Sequence, residues 1–221
     1  MNAPSLPPDD PSELRLRISY TDELTDIPQA DTMERWDVDV LHGERAAGSI
    51  TFYRVYLDRG MNAFRVMEEE SEDLGEIAQA LLDPSTGNFT EEASSWLPYI
   101  GSSLLVMDKV TLDAPWRGHG LGAILATEAI HRLMAGCRAI ACSPGVTDLS
   151  SDRLLSRTEW ERVTAKITRG WERIGFLPYE GNVFLLSPAS LELEEQRGTL
   201  RQRLAELGIS WRRAQADHAP S

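Results

Sequence analysis

Residues 115–122 read P-W-R-G-H-G-L-G and follow a nearly unbroken apolar run, L-L-V-M-D-K-V-T-L at 104–112. The run predicts a buried strand. Beyond the loop, Leu121, Leu125, Ala129 and Leu133 recur at steps of four, which predicts a helix over 121–135 stopped by Gly136. Residues 138–143, R-A-I-A-C-S, return as a strand. Strand, helix and strand in this order form a right-handed parallel unit, and the glycines fall where the first strand passes into the helix.

Three readings of that turn compete. A plain strand-to-helix turn needs one glycine rather than three. Gly118-x-Gly120-x-x-Ala123 satisfies a permissive dinucleotide fingerprint, but it lies deep in the chain, and the next strand end at 138–143 has no acid to hold a ribose hydroxyl. The third reading is a cradle for another phosphate. Glycines at 118, 120 and 122 let backbone N–H groups turn inward, and a helix starting near Leu121 adds its positive end to the same point.

Outward from the loop, 221 residues with 42% apolar content suffice for one cored domain with appendages. The 22 Lys plus Arg against 35 Asp plus Glu give a net charge of −13, which opposes nucleic acids and anionic membranes and favours cationic partners. No signal peptide is legible and no apolar run reaches about 18 residues, so a cytoplasmic protein is expected. Cys137 and Cys142 are too poorly disposed for a disulfide and are expected as thiols. The four histidines are scattered, and no spacing suggests a metal site.

Residues 1–12 hold four prolines and no periodicity, which predicts a disordered leader. Strands are predicted at 14–20, 36–41 and 48–57, the last two joined by H-G-E-R-A-A-G. An acidic helical insertion over 66–98 carries Leu74, Ile77, Leu81 and Leu82 at helical spacing, with a short helix at 90–97; no Lys or Arg occurs from Val66 through Asp108. A polar loop at 143–156 leads to a helix over 157–174 with Trp160, Val163, Ile167, Trp171 and Ile174 on one side. Residues 176–187 read as a hairpin around E-G-N. The remainder, 189–221, is an amphipathic helix to about 208 with Leu193, Leu200, Leu204 and Leu207, then a polar tail. That helix has two candidate docking sites, its own domain or a second copy of the chain in a homodimer.

L-x-A-P-W-R-G-H-G-L-G-A before a helix, with W-E-R-I-G-F closing the next one, resembles the Gcn5-related N-acetyltransferase family. The family signature R/Q-x-x-G-x-G/A stands here as Arg117-Gly118-His119-Gly120-Leu121-Gly122, and the Gly175-Phe176 pair follows downstream. The resemblance spans roughly 14–187, with motif-level matches confined to 104–134 and 160–187. It implies an α/β fold over 13–188 in which a mixed, mostly antiparallel central sheet with a splayed parallel pair is flanked by helices. It also implies coenzyme A, as acetyl-CoA, for the co-substrate. Its diphosphate would lie on the backbone of residues 117–122, with Arg117 and His119 at the rim, and its pantetheine arm would pair with the main chain of Val110 and Leu112.

Acetyl transfer to an amine needs a neutral nucleophile, a polarised thioester and a proton for the leaving thiolate. Asp108 is the candidate base, since an acid inside an apolar run is costly unless paired or used, and alternation sets it on the face of Val106, Val110 and Leu112. Glu68, Glu69 and Glu70 are weaker candidates for drawing in or deprotonating a cationic substrate. Where many members of the family carry an acid tyrosine, this chain has Trp171, and Ala165 stands where an Asn is often found. Trp171 therefore reads as packing against pantetheine or the core, and Ser143, Tyr179 or water is left to supply the proton. Cys142 reads as a small buried hydrophobe.

The function expected is N-acyl transfer, acetyl-CoA to a primary amine by direct attack, the amine being a cationic small molecule or a protein amine. The alternative is a non-catalytic acyl-CoA-binding sensor or scaffold.

Overall fold

Alternation along the first strands and helical periodicity after them combine into one α/β sheet layered on both faces. The computed structural model describes residues 6–22, 28–144 and 157–218. The side chains of Trp160 and Val163, and the loop expected over 143–156 from residue 145 onward, lie outside the described residues.

The chain begins with a hairpin-linked meander. Strand β1 (Leu14–Tyr20) pairs antiparallel with β2 (Met33–His42), and β2 with β3 (Arg45–Tyr56). A short helix α1 (Pro28–Thr32) precedes β2. The turn expected over seven residues closes at Gly43 and Glu44, because Gly43 takes a φ of +58° and lets β3 begin three residues early. The acidic stretch then forms three helices. Helices α2 (Ala63–Glu70) and α3 (Glu72–Leu81) are separated at Ser71, whose extended backbone ends the first and whose hydroxyl accepts from Leu74 N to cap the second. Helix α4 (Glu91–Trp96) is capped in the same way by Thr90.

Strand β4 (Ser103–Leu112), helix α5 (Leu121–Leu133) and strand β5 (Cys137–Cys142) make the expected parallel unit. Helix α6 (Arg157–Glu172) ends at Gly175, which at φ +98° breaks the helix and sends the fully buried Phe176 into the core. Strands β6 (Leu177–Glu180) and β7 (Val183–Leu186) form the predicted hairpin. The described strands make one seven-stranded sheet in the order β1-β2-β3-β4-β5-β7-β6, antiparallel except for β4 and β5. The fold is mixed α/β, mostly antiparallel, with one parallel pair.

Each face carries its own core. Phe52, Leu105, Met107, Ile140 and Phe184 meet α5 on one face, while Val55, Leu104, Val106, Ala141 and Leu185 meet α2 and α3 on the other.

The C-terminal segment differs most from expectation. Helix α7 (Leu191–His218) runs through the predicted polar tail, and its Leu193, Leu200, Leu204 and Leu207 pack against the α5-side core of its own chain. Glu128 of α5 holds it through Arg197 and Arg201. Residues 6–12, expected in a disordered leader, lie against this helix: Trp211 Nε1 donates to the Pro7 carbonyl at 3.1 Å, and Arg212 pairs with the buried Asp10. Gly208 is required there, because a Cβ would fall 2.6 Å from Ser12 Oγ. Composition marked these residues as a leader; a partner helix two hundred residues away orders them.

Candidate functional site

The site begins where the parallel pair stops. Strand β4 pairs with β5 only from Ser103 to Val106, yet continues to Leu112 along β3. Met107 to Leu112 therefore have a partner strand on one edge only. Asp113 N donates to the Ala47 carbonyl on the β3 side, so alternation turns the backbone groups of Leu112 and Val110 to the opened side. The Leu112 carbonyl already has a partner there, since Arg117 Nε donates to it at 2.5 Å. The arginine expected at a phosphate rim is thus folded back onto the strand end.

The glycine loop caps this opening. Gly118 and Gly120 take φ of +88° and +78°, conformations that side chains rarely adopt, and Gly120 is the N-cap of α5 with no side-chain cap hydrogen bond. Gly122 is helical, and its missing side chain would make only ordinary contact with Val110 at 3.8 Å. Two of the three glycines are therefore dictated by the turn, and the third leaves the helix end bare above the strand. The first N–H groups of α5 face out without a side-chain acceptor, a ready anion site at the positive end of the helix.

A cleft of about 550 Å³ joins these parts. It is lined by Asp108, Val110, Leu112, Arg117, Gly118, Gly120, Leu121, Gly122, Ser143 and Trp171, ten of the twelve residues expected at the site. His119 and Tyr179 are not among them. Sequence reasoning missed Lys166 and Gly170 of α6, Arg173 just past its end, and Leu200 and Arg203 of α7, which add to the wall. The first three had a signal, since steps of i, i+4 and i+7 put them on one face of the helix expected over 157–174; Arg203 had none, because only the docking of α7 brings it there. Among the described lining residues four are basic and only Asp108 is acidic, in a chain whose net charge is −13.

Asp108 occupies a bulge. Thr51 pairs with Lys109 and the next residue, Phe52, with Met107, so Asp108 is the extra residue on β4. The face expected to run Val106, Asp108, Val110, Leu112 is split in consequence. Val106 packs toward α2 and α3, while Val110 and Leu112 pack toward α5. The half-buried Asp108 carboxyl lines the cleft and is pushed above the usual carboxylate range, by burial first and then by the charges of Asp73 and Glu70, against Lys109 and Arg35. A carboxyl so raised is better matched to taking a proton near neutrality.

Ser143 stands at the end of β5 in a chain of hydrogen bonds, donating to Glu76 Oε2 and accepting from Asn182 Nδ2, each at 2.9 Å. Tyr179 packs on the α2–α3 face with its ring edge-on to Trp96. Burial pushes the Cys142 thiol well up, so it stays neutral and unreactive. Trp171 lines the cleft and packs against the α5-side core.

A second hollow of about 350 Å³ is lined by Tyr20, Asp22, Glu34, Arg35, Tyr53, Glu69 and Glu70 among others. Glu70 accepts from the Tyr53 hydroxyl at 2.9 Å, and Glu68 is engaged by Arg65. Arg35 and Glu70 act electrostatically on Asp108, so this acidic hollow lies within electrostatic reach of the carboxyl that lines the basic cleft. Among the described residues no group of three or more His, Cys, Asp or Glu is placed to hold a metal, and no helix is long and apolar enough to cross a membrane.

No family model matches the chain, and no curated protein does. Among solved structures it is similar to the crystal structure of AtaTR bound with AcCoA, at 15% identity and a TM-score of 0.41, over 83% of this chain and 99% of that one.

Proposed function

We propose that the chain is an acyl-CoA-dependent N-acyltransferase that moves acetyl from acetyl-CoA to a primary amine by direct attack. One observation carries the reading: an uncapped, glycine-opened helix N-terminus sits at the end of a strand left half-paired by its parallel neighbour, inside a cleft with four cations and one acid. The resemblance of Arg117–Gly122 to the Gcn5-related signature fits the same arrangement.

The residues present suit that co-substrate. The α5 N–H groups and the basic side chains oppose a diphosphate, and the outward backbone of Val110 can pair with an amide-bearing arm. Trp171 offers that arm an apolar wall. Asp108 can accept the proton of an incoming ammonium group, freeing the lone pair that forms the new N–C bond as the C–S bond breaks. The nitrogen sheds its second proton as the amide forms, and water or Ser143 relays it to the leaving sulfur, since the indole N–H is too weak an acid to supply one. The acids of α2 and α3 concentrate cations near Asp108.

Trp171 favours a second reading, a coenzyme A-binding sensor or scaffold without turnover. Calorimetry with acetyl-CoA, together with free-thiol release from it over a panel of amines, separates the two. Binding with turnover supports the enzyme, tight binding without turnover on any amine supports the sensor, and no binding ends both.

A further inference from the structure

We propose that Arg203, carried by the C-terminal helix α7, binds the coenzyme A diphosphate, so that the appended helix is part of the co-substrate site. The proposal rests on the coenzyme A reading above and adds to it a residue outside the signature loop and outside the 13–188 domain.

The guanidinium of Arg203 lies over the N-cap of α5. A Cβ built on Gly120 would meet its Nη2, Cζ and Nε at 3.3, 3.5 and 3.8 Å, so the flat group covers the bare end of the helix. Both ends of that contact are positive: the first turn of a helix carries about half a unit charge, and an arginine over it is repelled. An anion between them reverses the sign of both interactions.

Its neighbours on α7 behave differently. Arg197 and Arg201 are bound by Glu128, and Arg212 by Asp10. Arg203 makes no hydrogen bond or ion pair among the described residues, although Glu206 stands one turn away; that acid accepts from Gln202 instead. Lys166 and Arg173 across the cleft are likewise without an acidic partner among the described residues. Three cations without an acidic partner among the described residues, gathered around one cleft, make a positive field that an anion from outside the chain would satisfy.

The position of Arg203 is held rather than sampled. Leu200, one turn before it, lines the same cleft, Leu204 and Leu207 pack into the core, and the Glu128 clamp fixes the register of α7. The arginine can reach the diphosphate by side-chain rotation alone.

The test is calorimetry on the full chain as wild type, Arg203→Ala, Arg203→Gln and the control Arg213→Ala, each with coenzyme A, 3′-dephospho-coenzyme A and S-acetylpantetheine. Losing one charge-assisted contact should weaken coenzyme A and the dephospho form about tenfold, leave S-acetylpantetheine unchanged, and flatten the salt dependence of binding. Arg203→Gln keeps part of the stem and decides the matter should alanine loosen α7. The control should bind as wild type does. Affinity within twofold of wild type, or an equal loss with S-acetylpantetheine, overturns the proposal; a loss seen with coenzyme A but not with its dephospho form moves Arg203 to the 3′-phosphate and overturns the diphosphate assignment. Failure of the wild-type chain to bind coenzyme A sinks the underlying reading, and this one with it.

Discussion

Two hollows of opposite charge lie within electrostatic reach of Asp108. In one, β4, α5, α6 and α7 assemble a cleft with Arg117, Lys166, Arg173 and Arg203 around glycine backbone. In the other, α1, α2 and the edge of the meander gather Asp22, Glu34, Glu69 and Glu70 with Tyr20 and Tyr53. The chain as a whole carries −13, yet four basic side chains line this one cleft. Net charge describes the average partner, whereas the field at a site is set by which few residues the fold brings together. A reaction between an anionic acyl donor and a cationic acceptor needs both fields, with a proton acceptor where they meet.

Removing that acceptor should have the largest effect. Asp108→Asn should lower turnover by about 10² to 10³-fold, the range of a positioned base, while coenzyme A affinity stays near wild type. In the wild type, turnover should rise as pH passes through the raised carboxyl, and the variant should lose this limb. Stability moves the opposite way. A carboxyl raised by folding contributes stability only below its unfolded pKa and loses it as pH climbs through the folded one, so Asp108→Asn should unfold at higher temperature than wild type at neutral pH and equally at pH 3. Unchanged kinetics would move the base elsewhere, with Glu76 behind Ser143 the next to test.

The cleft side is broken more gently. Gly120→Val places a β-branched residue at φ +78° and drives it against Arg203. Strain of about 2 kcal/mol at the point where the N–H groups are aimed should weaken coenzyme A by roughly thirtyfold, with far-ultraviolet dichroism intact. Normal affinity would mean that the anion site is not at this helix end. Trp171→Phe should bind coenzyme A within about threefold of wild type and Trp171→Ala about tenfold more weakly, since the ring contributes apolar cover. A collapse of turnover in the Phe variant would instead give the indole N–H a direct part.

The sequence made the architecture of the cleft legible because local signals carry it: a strand-length apolar run, a helical period and glycines that no other residue could replace at positive φ. Gly175-Phe176 is equally local, one residue ending α6 and the next entering the core. What stayed hidden depends on register and long-range docking. The bulge at Asp108 exists only in the pairing of Thr51 and Phe52 with Lys109 and Met107, so alternation counted along β4 alone gave the wrong set of companions. The order of residues 6–12 and the placement of Arg203 both come from α7, whose weak amphipathicity says that it packs but not where. Lys166 and Arg173 were readable from helical spacing, but charges on a helix are ordinarily solvated and carry no sign of what they face.

The smallest expected effect concerns the joint that unites cleft and appendage. Burial works to raise the Glu128 carboxyl, but hydrogen bonds and charges from Arg201 and Arg197 prevail and hold it down to about 2. Because folding lowers this pKa, its contribution is present above the unfolded value, ordinarily near 4.5, and fades as pH falls toward 2. Glu128→Gln keeps the shape and removes the charge, so it should lower stability by about 1 kcal/mol at neutral pH and leave little difference from wild type at pH 2. If Arg203 acts on the diphosphate through a helix held in register by Glu128, the same variant should weaken coenzyme A by no more than a few-fold, with unchanged affinity for S-acetylpantetheine. Equal losses for both ligands would show α7 to be shaping the apolar wall rather than presenting a charge.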